Sequence, residues 1–97
     1  MKILGFEYAV TLMEAKMPDS RHYAECNNND LTIRVARNLP SQQKESSVLH
    51  EIIEATGYCL GLNLTEPTVL ALERGLHGAL KDAGVDLSPL LRGLEET

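Results

Sequence analysis

The chain has 97 residues, 43% hydrophobic and 24% charged, which is ordinary for a soluble globular protein and enough for one domain with a modest core. Nine Lys and Arg against fourteen Asp and Glu give a net charge of −5, which argues against a nucleic-acid surface. No apolar run reaches membrane-spanning length, and residues 1–10, interrupted by Gly5 and Glu7, do not make a signal peptide. The expected compartment is therefore the cytoplasm, with Cys26 and Cys59 as free, buried thiols.

The first third reads as strand. Phe6, Tyr8, Val10 and Leu12 fall on alternate positions, the period of a sheet with one buried face. Residues 17–20 form a break. Residues 23–26 are a short candidate strand, and Asn27-Asn28-Asn29-Asp30 a turn, because Asn and Asp tolerate left-handed backbone and bond to their own main chain. Leu31, Ile33 and Val35 alternate with Thr32 and Arg34 in a further strand, paired antiparallel to a neighbour.

The rest reads as helix. Ser41 is the expected N-cap of a first helix and Gly61 its stop, with Val48, Leu49, Ile52, Ile53, Thr56, Cys59 and Leu60 forming the apolar face. Thr65 caps a second helix, with Pro67 in its first turn, an apolar face of Val69, Leu72, Leu76, Leu80 and Ala83, and Gly84 as its end. The short link between them makes the two helices packed neighbours. Ser88-Pro89 opens a short third helix through Leu90, Leu91 and Leu94. The expected fold is α+β: a small antiparallel sheet of three to four strands on two main helices and a short terminal one, in a single domain.

Within the first helix, His50-Glu51-Ile52-Ile53-Glu54 nearly spells H-E-x-x-H, in which two histidines four apart bind a metal and the Glu takes the proton of a water. Glu54 replaces the second histidine, and a carboxylate oxygen still ligates zinc. At 100° per residue His50 and Glu54 lie about 40° apart at the edge of the apolar face, with Glu51 turned further toward solvent. Gly57, mid-helix, costs roughly 1 kcal/mol against Ala and implies room for a neighbouring chain or ligand. A histidine flanked by carboxylates also fits a solvated salt-bridging edge. Glu73 weighs against that reading, because it projects on the apolar side of the second helix, where a carboxylate needs a metal or a cationic partner such as Arg37, Arg74 or Lys81. Glu66 is the second choice for this third ligand. His77 is read as a half-exposed helix residue or a partner to a carboxylate, and His22 is assigned nothing.

In order and spacing, Leu49-His50-Glu51-Ile52-Ile53-Glu54-Ala55, Gly61-Leu62-Asn63-Leu64 and Leu72-Glu73-Arg74-Gly75-Leu76 resemble the small zincin-like, minimal metallopeptidase-like proteins encoded by phages and prophages. The resemblance implies a zincin-like fold, metal ligands at His50 and Glu54, and Glu51 as general base. The ion expected is Zn2+, with manganese or another oxygen-tolerant divalent ion as the alternative, since Glu54 makes the site harder and more anionic. His50 with two carboxylates would cancel a dication's charge, so hydrolysis is expected to be slow. The alternative function is a non-enzymatic phage or prophage accessory protein that binds a host protein.

Overall fold

In the computed structural model, residues 1–14, 24–92 and 94 are described; the break at residues 17–20, His22 and Tyr23 lie outside them. The elements run β1 (Lys2–Ile3), β2 (Phe6–Glu7), β3 (Ala9–Met13), β4 (Ala24–Asn27), β5 (Thr32–Ala36), α1 (Ser41–Cys59), α2 (Glu66–Asp82) and a 3-10 turn, η1 (Ser88–Leu91). This is an α+β domain, as expected. No helix among the described residues is long and apolar enough to cross a membrane.

The opening alternation divides into two elements. Leu4 and Gly5 both have positive φ, 49° and 89°, and form a two-residue turn that pairs Ile3 with Phe6. The hairpin carries Phe6 to the surface, 53% exposed, while Tyr8 is fully buried. The main sheet has the order β3-β5-β4. β4 and β5 form the expected antiparallel pair around the asparagine turn, where Asn27 Oδ1 accepts the backbone N–H groups of Asn29 and Asp30. β3 lies on the other side of β5 and runs parallel to it, with Val10 beside Ile33 and Leu12 beside Val35. The sheet is thus mixed rather than wholly antiparallel. Alternation marks a buried face but carries no strand direction.

α1 is the central element. Its neighbours are β1, β4, β5, α2 and η1, and no residue from Lys44 to Gly57 is exposed. Val48 packs with Val35 and Leu94, Ala55 packs with Ile3, Tyr8 and Ile33, and Ile52 joins both groups. Ser41 is the first helical residue, not the cap; Pro40 holds the cap position and makes no side-chain bond. The stop at Gly61 is as expected. At φ +70° it is left-handed, its N–H reaches the Tyr58 carbonyl, and the Leu62 N–H reaches Gly57, which closes the helix end and turns the chain. Gly57 gives room to the returning link: a Cβ there would lie 2.6 Å from Leu64 Cδ1.

α2 starts at Thr65, whose hydroxyl accepts the Thr68 N–H. Its orientation corrects the expected face. Only Val69 is buried along it, Leu72 and Leu76 are 43% and 46% exposed, and Glu73 and His77 turn inward toward α1. Leu60, assigned to the face of α1, is also exposed.

Candidate metal centre

The seam between α1 and α2 carries the chemistry, and the short link decides which residues meet. Gly61 reverses the chain and Thr65 restarts it, so Glu66 is the first residue of α2. Glu66 and Glu73 are seven apart, within about 20° of one another on the helix, and both reach His50. Glu66 Oε1 lies 3.0 Å from His50 Nε2, and Glu73 Oε1 lies 2.8 Å from His50 Nδ1. From α1 itself, one turn on, Glu54 Oε1 lies 3.1 Å from Nε2. Ser46, one turn before the histidine, donates its hydroxyl to the other oxygen of Glu73.

His50 is therefore clamped at both ring nitrogens. As an imidazolium it donates to Glu73 from Nδ1 and to Glu54 from Nε2, with Glu66 at ion-pair distance from the same nitrogen. Deprotonated at Nε2, it keeps its Nδ1–H on Glu73 and turns a lone pair toward the space that Glu54 and Glu66 also face. One ligand atom from each of His50, Glu51 and Glu54 lies within 4.8 Å of the others.

The electrostatics are strained toward excess negative charge. Burial opposes charging the His50 ring, but the Glu73 hydrogen bond and the charges of Glu51, Glu54 and Glu66 outweigh it and hold the ring above its ordinary range. Burial pushes the Glu51 carboxyl up to about 7, with Glu54, Glu66 and Glu25 adding to it and His50 opposing. Glu54 is raised by burial, opposed by His50, and raised again by its hydrogen bond to Glu66.

The expectation for Glu51 is corrected. It is 4% exposed, not on a solvent side, because α1 is covered all round at this level. Glu73 faces inward as expected and has no arginine partner among the described residues; Arg37 pairs with Glu14, and Lys81 with Glu45. Glu66 and Glu73 are both brought to His50, but at opposite ring nitrogens. His77 Nε2 is buried, 3.9 Å from Glu45 and without a hydrogen-bond partner among the described residues. Ser46 escaped the sequence reading. Its available signal was its place one turn before His50, as a weak helix former inside a long helix.

One concavity lies beside the β4–β5 turn, lined by residues including Asn28, Thr32, Arg34 and Tyr58, and includes none of the His50 group. A shallower hollow has Glu54 at its edge, with Gly57, Leu62, Leu64 and Val69. No protein family, curated protein or solved structure matches this chain.

Proposed function

We propose that the chain is a zincin-like domain that binds one divalent metal ion through His50 Nε2, Glu54 and Glu66, with Glu73 orienting the ring from Nδ1. The observation that carries the reading is the split at His50: two carboxylates from different helices face one ring nitrogen while a third holds the other. An imidazole whose distal N–H rests on a carboxylate is the arrangement metal-ligating histidines use to fix tautomer and basicity. The donor set fits zinc, and its two carboxylates suit manganese as well. Crowded carboxyls with raised proton affinity are relieved by a dication in the same space.

Such an ion would supply Lewis acidity toward a carbonyl substrate. Among the chain's own residues, Glu51 is the proton acceptor of a hydrolytic version, with a carboxylate oxygen within 4.8 Å of ligand atoms of His50 and Glu54. Glu54 and Glu66 would cancel the charge of the ion, which favours metal binding with little peptide hydrolysis.

A second reading draws on α2. Its exposed Leu72 and Leu76 favour a non-enzymatic accessory protein, of phage or prophage origin, that uses this helix to hold a host protein. Elemental analysis of protein purified without chelator separates the two. One zinc or manganese ion per chain, lost in Glu66→Gln, supports the metal reading; a metal-free protein that takes up neither ion on titration removes it.

A further inference from the structure

We infer that Ser46 is a positioning residue of this centre: its hydroxyl pins Glu73 so that the carboxylate orients His50 instead of joining the ligands. The inference rests on the metal-binding reading above. A carboxylate offers two oxygens, and here both are engaged. Oε1 takes the His50 ring at Nδ1, 2.8 Å away, and Oε2 takes the Ser46 hydroxyl. The Glu73 side chain is 13% exposed, so water is a poor substitute for either contact. Helical serines commonly turn back on the carbonyl four residues earlier, whereas this one reaches across the seam to α2.

The consequence is a division of labour among three carboxylates. Glu54 and Glu66 face Nε2 and bond to one another, with no hydroxyl holding either among the described residues, while Glu73 is fixed from α1 on the far side of the ring. Release of Oε2 lets Glu73 rotate off Nδ1. The ring then loses its fixed tautomer, and Nε2 its fixed aim at Glu54 and Glu66.

Ser46→Ala and Ser46→Thr test this, with binding read by zinc competition and by the visible spectrum of the cobalt-loaded protein. A second reading comes from the His50 ring nitrogens by NMR in metal-free protein. Ser46→Ala is expected to weaken zinc binding by roughly 10-fold, the lower end of the effect of removing a ligating histidine's own carboxylate partner. It should also alter the cobalt spectrum and expose the Nδ1 proton to exchange. Ser46→Thr, which keeps the hydroxyl, should restore all three. Unchanged affinity and a still-protected Nδ1 proton in Ser46→Ala would overturn the proposal. If the wild type takes up no zinc or cobalt, the metal reading falls. The ring measurement then decides Ser46 alone: a proton protected in wild type and Ser46→Thr but not in Ser46→Ala sustains its positioning role, and equal protection in all three ends it.

Discussion

The two ends of the α1–α2 seam each set a histidine against buried glutamate, and they balance charge in opposite ways. At one end Glu45, 5% exposed, meets the Lys81 ammonium at 3.4 Å with His77 nearby, so a permanent cation answers the carboxylate. At the other end three carboxylates touch His50 and Glu51 is buried beside them, with no lysine or arginine paired to any of the four among the described residues. A permanent ion pair closes a seam. A surplus of carboxylates on one titratable ring leaves the charge to be completed from solution, by protons or by a metal.

The largest expected effect breaks this contrast directly. His50→Ala should abolish zinc binding, a loss of more than about 100-fold, while His77→Ala should leave it within about twofold. Isothermal titration of both variants checks it, and equal losses would erase the distinction between the two ends. On the same scale, Glu54→His should tighten zinc binding roughly tenfold, because a neutral ligand replaces one of the crowded carboxylates. Robust zinc- and Glu51-dependent peptide cleavage by the unaltered protein would instead show that the charge argument against hydrolysis is wrong.

Stability against pH comes next. Glu51 binds its proton more tightly in the folded protein, at about 7 against 4.5, and His50 is raised above 6.5. The folded state holds the extra protons, so this contribution is full below about pH 4.5 and is lost as pH rises through about 7. The metal-free protein should lose on the order of 3 kcal/mol over that window. Denaturation across pH 4.5–8 should show the slope in wild type and a flatter one in Glu51→Gln. Because an ion binds the deprotonated groups, zinc affinity should rise over the same window.

Smaller effects sharpen the other side. Glu45→Gln removes the partner of Lys81, whose side chain is 35% exposed and relaxes into water, so the cost by urea denaturation should be only about 1 kcal/mol. Zinc binding should be unaffected. Smallest of all, Gly75→Ala and Gly78→Ala should each stabilise α2 by roughly 0.5–1 kcal/mol, because neither added methyl group meets an atom within 4 Å. A loss of stability there would mean that the outward side of α2 is occupied.

Several features follow from residue chemistry close at hand in the chain. The asparagine turn, the caps at Thr65, Gly61 and Gly84, and the His50–Glu54 pair depend on neighbours within one or two turns, so the sequence by itself determined them. The glycine at position 57 predicted a close approach, and Leu64 makes it. What only the tertiary structure decided was which way each surface faces. Periodicity supposes one wet and one dry side, but α1 is enclosed by sheet, helix and terminal turn, so Glu51 has no solvent side to occupy. α2 turns Leu72 and Leu76 outward because the link from Gly61 to Thr65 and the contacts at His50 fix its rotation. Glu66 and Glu73, though seven residues apart on one helical face, reach opposite nitrogens of one ring because His50 lies between them across the seam, and no spacing within α2 alone records that.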